Sequence, residues 1–159
     1  MEKETDQPVK VTLADDDKED QELFKEAVAR TGTEAEITVV NNGQELIDTL
    51  KENPEKPDIL FIDINMPVKN GKQALKEIKQ DEELKDIPAV ILSTSNSPKD
   101  IQESFNQGAE IYVQKPSDFS SFITILKRIF SFHWAAKLFG AAWKRLFITE
   151  NDPSGKSYK

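Results

Sequence analysis

Asp58-Ile59-Leu60-Phe61-Ile62-Asp63 is the clearest strand signal in this chain of 159 residues. A nearly continuous apolar run closed by a carboxylate is typical of a central parallel strand that is buried on both faces. On both sides of it, from Val9 to Phe130, short β-rich runs alternate with longer segments of helical period. This alternation is the pattern of βα units that wind a parallel sheet, so the sequence predicts an α/β fold.

The pattern predicts five strand–helix repeats. The strands are expected at residues 9–14, 37–40, 58–63, 88–93 and 111–113, and Ser97 with Pro98 is expected to start the fourth helix. The predicted organisation is a flexible N-terminus at 1–8, one domain at 9–130, an aromatic helical extension at 131–150 and a disordered tail at 151–159.

Composition excludes several classes of function. The 21 Lys and Arg residues against 29 Asp and Glu residues give a net charge of −8, which disfavours nucleic acid and anionic membranes as partners. The absence of cysteine excludes thiolate catalysis, disulfides and cysteine-ligated zinc, so a metal site must be built from oxygen. The polar N-terminus does not resemble a signal peptide, and no apolar stretch reaches the ~20 residues of a membrane span, so a cytoplasmic protein is expected.

Polar residues collect at the carboxyl ends of the predicted strands. They are Asp15 and Asp16 after the first strand, Asp63 at the third, Ser93 and Thr94 at the fourth, and Lys115 after the fifth. In an open parallel sheet, ligands bind in the crevice beyond these ends. The six residues are therefore expected to face one crevice.

This set of residue types suits phosphoryl transfer. Clustered carboxylates repel one another, and a hard divalent cation such as Mg²⁺ relieves the repulsion through oxygen ligands. A carboxylate also serves as a nucleophile toward phosphorus, and Asp63 is the best placed. Lys115 and the Ser93 hydroxyl would then contact the phosphoryl oxygens. An acidic run alone is more often a helix cap, and only the combination favours a site.

The same residues resemble the response-regulator receiver family of two-component systems, from about Val9 to Arg128. The matching motifs are the acidic pair Asp15-Asp16, the run Asp63-Ile64-Asn65-Met66-Pro67-Val68-Lys69-Asn70-Gly71, the hydroxyl of Ser93, and Lys115-Pro116. The resemblance implies a flavodoxin-like, doubly wound five-stranded parallel sheet of order 2-1-3-4-5 with helices on both faces. It also implies a phosphoacceptor at Asp63 and, often, a cis bond before Pro116.

The resemblance assigns further roles. Asp16 and Asp63 would contact Mg²⁺ directly, Asp15 through water, and Asn65 through its backbone carbonyl. Asp17 is better explained as a helix cap. Ser93 and Tyr112 would form the switch pair that responds to phosphorylation, with plain strand packing as the alternative for Tyr112.

The function implied is that of a stand-alone receiver, similar to the small single-domain regulators that pair with bacteriophytochromes. It would accept a phosphoryl group on Asp63 from a sensor histidine kinase or a phosphotransfer protein, hydrolyse it, and signal through its own surface. Such a protein is a signalling module rather than an enzyme. The alternative is a receiver-like interaction module that is never phosphorylated.

Two other classes fit less well. A phosphatase of the haloacid-dehalogenase type would want a second Asp two residues after Asp63, where this chain has Asn65. A flavin-binding module of the same topology would want a first loop rich in Ser, Thr and Gly. The acidic run at 15–17 would repel its phosphate.

The aromatic segment after the domain has three interpretations. Trp134, Phe139 and Trp143 would contact a partner, either a second copy of the chain or the kinase, or they would pack on the domain itself. An interfacial membrane helix is the least supported, because three nearby cations are its only argument. His133 is expected to pack rather than to act as a phosphorelay histidine.

Overall fold

Seven strands form a single sheet in the computed structural model, which describes residues 7–158. They are β1 (Val9–Ala14), β2 (Ala35–Val40), β3 (Ile59–Ile62), β4 (Ala89–Ser93), β5 (Ile111–Gln114), β6 (Leu146–Thr149) and β7 (Asp152–Ser157). The order in the sheet is β2-β1-β3-β4-β5-β6-β7. The predicted flavodoxin-like order of the first five strands is confirmed, but the five-stranded sheet was wrong.

Five helices connect or follow the parallel strands. They are α1 (Lys18–Arg30), α2 (Gly43–Glu52), α3 (Gly71–Gln80), α4 (Pro98–Asn106) and α5 (Phe119–Phe139). Each begins after a short polar side chain that accepts a hydrogen bond from a backbone N–H of the first turn. The predicted start of α4, with Ser97 as the cap and Pro98 in the first turn, is confirmed. None of the helices in the described part of the chain is long and apolar enough to cross a membrane.

The sheet lies between two apolar layers. Leu60 and Ile62 of β3 point into a cluster shared with α2, α3 and α4, whereas Ile59 and Phe61 point into a cluster shared with α1 and α5. All four side chains are fully buried, as the sequence of this strand predicts. Each contributes about 1.5–3 kcal/mol by leaving water. This burial holds the carboxyl end of β3 in a fixed position.

The C-terminal part differs from the prediction of a helical extension and a disordered tail. The helix ends at Phe139, where Gly140 adopts a left-handed cap with φ of 68°. The chain then returns to the sheet, where β6 pairs parallel to β5 and β7 pairs antiparallel to β6. Leu146 and Ile148 are buried on one face and Phe147 packs on the other, which is the period of a strand. A run of four residues is too short for periodicity to distinguish strand from helix.

Two parts of the predicted organisation fall outside the described residues. Of the flexible N-terminus expected at 1–8, residues 1–6 lie there, and so does residue 159 of the expected tail.

Candidate functional site

Three carboxylates meet at the carboxyl edge of the sheet. Asp15 follows β1 and Asp63 follows β3, and these strands are neighbours in a register that pairs Ala14 with Ile62. One carboxylate oxygen from each of Asp15, Asp16 and Asp63 lies within 4.8 Å of the other two. Asp15 and Asp63 are buried, whereas Asp16 is exposed. The structure therefore brings together the three acidic residues that the sequence singled out.

Without a cation, burial and mutual repulsion disfavour the negative charges of this cluster. Burial raises the pKa of Asp15 above its ordinary value, against the lowering effect of the Asp17 backbone N–H and of Lys115. Burial also raises the pKa of Asp63, and the charge of Asp15 adds to that effect. Hard oxygen donors of like charge held this close are the donor set that Mg²⁺ takes in proteins. The residues present therefore fit a Mg²⁺ site.

Lys115 supplies the positive charge of the site from the end of β5. Its Nζ lies 3.2 Å from Asp15 Oδ2 and 3.5 Å from Asp63 Oδ2. Burial alone would lower the pKa of Lys115, but a hydrogen bond to Asp20 and the charges of Asp63 and Asp15 outweigh it and raise the pKa. The ammonium therefore stays charged. The peptide bond between Lys115 and Pro116 is trans, since residues 7–158 contain no cis bond, so that expectation was wrong.

Asp20 is the residue of this site that the sequence reasoning missed. It lies in the first turn of α1, and its Oδ2 is 2.9 Å from Lys115 Nζ, the shortest of the three contacts of this ammonium with carboxylates. An acidic residue in a first helical turn is usually explained by its favourable interaction with the helix dipole, so Asp20 did not stand out in the sequence. The sequence signal that could have pointed to Asp20 was its position three residues after the cap Asp17.

Ser93 and Tyr112, which were predicted to form a switch pair, lie on the neighbouring strands β4 and β5. Ser93 ends β4 and is fully buried, and its Oγ accepts a hydrogen bond of 3.1 Å from the backbone N–H of Ser95. Tyr112 of β5 is also fully buried, and its hydroxyl donates to the Ser95 carbonyl. Burial raises the pKa of Tyr112, so its hydroxyl remains a donor. Thr94 is exposed and does not join them.

The loop after β3 approaches the backbone of Asp63 closely. Asn65 is exposed, and its backbone N–H lies 3.3 Å from Asp63 Oδ1. Gly71 opens α3 and donates to the Ile64 carbonyl. A Cβ at Gly71 would overlap the carbonyl oxygen of Asp63, so only glycine fits at this position. The spacing from Asp63 to Gly71 therefore has a steric reason.

The predicted contact aromatics do not share one environment. Trp134 and Trp143 are partly buried against the layer formed with α1 and α5, whereas Phe139 is 83% exposed. His133 is buried on α5 with its ring 4.8 Å from that of Trp134, and burial lowers its pKa. These contacts support packing for His133. They leave Phe139 as the member of the trio most open to a partner.

Comparisons with known proteins agree with this geometry. The response regulator receiver domain family matches residues 11–127. The chain is 29% identical to the response regulator Rcp1 of Synechocystis sp. over 137 residues, which are 83% of this chain and 93% of Rcp1. It is 33% identical to the polar-differentiation response regulator DivK of Brucella anthropi over 121 residues, which are 76% of this chain and 94% of DivK.

Solved structures give the same result. The crystal structure of the phosphorylated cyanobacterial phytochrome response regulator RcpA superposes with a TM-score of 0.74 at 33% identity, covering 86% of this chain and 98% of that one. The Mn²⁺-bound form of Rcp1 superposes with a TM-score of 0.71 at 26% identity, covering 86% and 99%. The chain therefore belongs to the response-regulator receiver family and is similar to its small, phytochrome-associated members.

Proposed function

We propose that this protein is a stand-alone receiver that accepts a phosphoryl group on Asp63 from a sensor histidine kinase, in a reaction that depends on Mg²⁺. The observation that carries the proposal is the meeting of three carboxylates and the Lys115 ammonium at the carboxyl edge of the sheet. A phosphotransfer protein is an equivalent donor. The reaction belongs in the cytoplasm, where ATP-dependent kinases act.

Asp63 is the nucleophile of the proposed reaction. Its carboxylate oxygen forms a bond to phosphorus as the bond between phosphorus and the donor histidine nitrogen breaks, and the histidine takes up a proton. The rigid, fully buried strand β3 fixes the attacking group, which is the positioning that phosphoryl transfer requires. Later attack by water on phosphorus releases phosphate and restores the carboxylate. The chemistry serves signalling rather than turnover of a substrate.

The other residues neutralise charge. Mg²⁺ held by Asp16 and Asp63, by Asp15 through water, and by the Asn65 carbonyl would offset the negative charge of the phosphoryl oxygens. Lys115 supplies an ammonium 3.5 Å from Asp63 Oδ2, which would offset the charge of the phosphoryl oxygens together with the metal. In the resting structure the Ser93 hydroxyl accepts a hydrogen bond from the Ser95 N–H. On phosphorylation the hydroxyl would leave this contact and donate to a phosphoryl oxygen.

Movement at Ser93 has a structural route to the surface. The backbone of Ser95 is hydrogen-bonded to both Ser93 and Tyr112. The Ser95 hydroxyl donates a hydrogen bond of 2.6 Å to Asp100 of α4. A shift of Ser93 therefore moves the start of α4. We infer that the start of α4 carries the signal. We also infer that the exposed Phe139, together with the partly buried Trp134 and Trp143, contacts a second copy of the chain or the kinase. The similarity to RcpA makes a bacteriophytochrome the favoured kinase.

The direct test uses acetyl phosphate as the donor and intact mass as the readout. We expect the native chain to gain the mass of one phosphoryl group with Mg²⁺ and to gain none when a chelator removes the metal. Asp16→Asn should lower the yield because it removes a metal ligand, whereas Asp86→Asn, a distant carboxylate, serves as the control. An unchanged mass of the native chain with Mg²⁺ would favour the interaction module that is never phosphorylated.

A further inference from the structure

The Lys115 ammonium is surrounded by acidic partners. The Lys115 ammonium has three N–H groups, and three carboxylates lie around it. It donates hydrogen bonds to Asp20 at 2.9 Å and to Asp15 at 3.2 Å. Its distance to Asp63 is 3.5 Å, which is an ion pair longer than an ordinary hydrogen bond. At rest, two partners hold the ammonium and leave one N–H toward Asp63.

Asp20 offers this contact from a fixed position. Its backbone N–H donates to the capping carboxylate of Asp17 at 3.0 Å. The next residue, Gln21, is buried and donates to the Asp15 carbonyl at 2.6 Å and to the Asn41 side chain at 2.9 Å. The first turn of α1 is therefore tied to the loop that carries the acidic cluster. A carboxylate on this turn does not follow Lys115 if the lysine moves.

We propose that Asp20 is a positioning residue for phosphoryl transfer, which acts by holding the Lys115 ammonium toward α1, so that it stays near Asp63 without entering the space between Asp15, Asp16 and Asp63. The inference rests on the proposed function. Lysine is a flexible chain with a compact charge, and its direction is set by its partners. Without Asp20, the remaining acceptors are Asp15 and Asp63, which draw the ammonium into the space where the cation and the phosphoryl oxygens belong.

If Asp20 only stabilised α1, its replacement would not change the position of Lys115. The cap of α1 is Asp17, so Asp20 does not cap the helix. Favourable interaction with the helix dipole is shared with Glu19, an exposed acidic residue in the same turn. Glu19→Gln therefore makes the same change of charge in the same turn without touching Lys115. It is the matched control for Asp20→Asn.

The test compares rates of phosphorylation by acetyl phosphate with Mg²⁺ in the full chain. We expect Asp20→Asn to slow the reaction about tenfold at subsaturating donor, as for the loss of one charge-assisted contact, and Glu19→Gln to leave it unchanged. In a Lys115→Met background, Asp20→Asn should have no further effect, because its action passes through Lys115. Equal rates of Asp20→Asn and the native chain, or an undiminished effect in the Lys115→Met background, would overturn the proposal.

A second readout does not depend on phosphorylation. In the metal-free protein, the ¹⁵N resonance of the Lys115 ammonium should shift in Asp20→Asn and stay in place in Glu19→Gln. No shift would contradict the contact itself. If the native chain is not phosphorylated at all, the proposed function fails, whereas the resonance still decides whether Asp20 positions Lys115.

Discussion

The hydroxyl of Tyr112 donates a hydrogen bond of 2.8 Å to the backbone carbonyl of Ser95. The backbone N–H of the same Ser95 donates to Ser93 Oγ. Ser95, in the loop after β4, is thus hydrogen-bonded to both Ser93 and Tyr112, the proposed switch pair. Any movement of the Ser93 hydroxyl must be accommodated by this loop and by the Tyr112 hydroxyl.

Tyr112→Phe removes the donor and keeps the buried ring. We expect the free energy of unfolding to fall by about 1 kcal/mol, because the Ser95 carbonyl loses its partner. Amide exchange in residues 94–97 should accelerate. Phosphorylation should proceed, since Tyr112 does not contact Asp63. Unchanged stability and exchange in urea unfolding and hydrogen-exchange experiments would mean that the hydrogen bond does not hold the loop.

Gly71→Ala should damage both stability and chemistry. The added Cβ overlaps the Asp63 carbonyl oxygen, so the start of α3 and the end of β3 must separate, at about 1–3 kcal/mol. Displacement of Asp63 should also slow phosphorylation. Gly140→Ala is the control, because a Cβ there meets no atom within 4 Å and suffers only from the left-handed backbone. Equal phosphorylation rates in the two variants would argue against a positional role for Gly71.

The acidic cluster makes stability depend on pH in a defined direction. Burial raises the pKa of Asp63, so the folded state binds this proton more tightly than the unfolded state does. The contribution of Asp63 to stability is therefore present at low pH and is lost as the pH rises above the ordinary carboxyl range. In the metal-free protein, Asp63→Asn should raise the free energy of unfolding at pH 7, and the gain should vanish below pH 3.8. A destabilised variant at pH 7 would contradict the sign.

Tyr158, which directly follows β7, should contribute to stability. The Tyr158 ring stacks on Phe105 of α4 at a centroid distance of 4.2 Å, and its hydroxyl donates to Gln102. Tyr158→Ala should lower the free energy of unfolding by about 1–2 kcal/mol. Ser157→Ala, an exposed neighbour, should change it by less than about 0.5 kcal/mol. A disordered tail would make the two variants equal in thermal or urea unfolding.

The parts of the fold that were predictable are those with strong local patterns. The run from Ile59 to Ile62 is apolar on both faces, which predicts a buried central strand. The polar residues follow the strands at positions that the sheet order β2-β1-β3-β4-β5 brings to one edge. The strand β7 had no such signal, because Asp-Pro-Ser-Gly-Lys-Ser contains no large apolar residue and is held by pairing with β6. Asp20 was hidden for a related reason, since its partner Lys115 lies 95 residues away.

The most direct measurement of the central claim is to locate the phosphoryl group. After reaction with acetyl phosphate and Mg²⁺, borohydride reduces an aspartyl phosphate to homoserine, and peptide mass spectrometry identifies the residue. We predict homoserine at Asp63 in the native chain, and no reduced residue in Asp63→Asn. Homoserine at Asp15 or Asp16, or none in the phosphorylated native chain, would contradict the assignment of Asp63 as the phosphoacceptor.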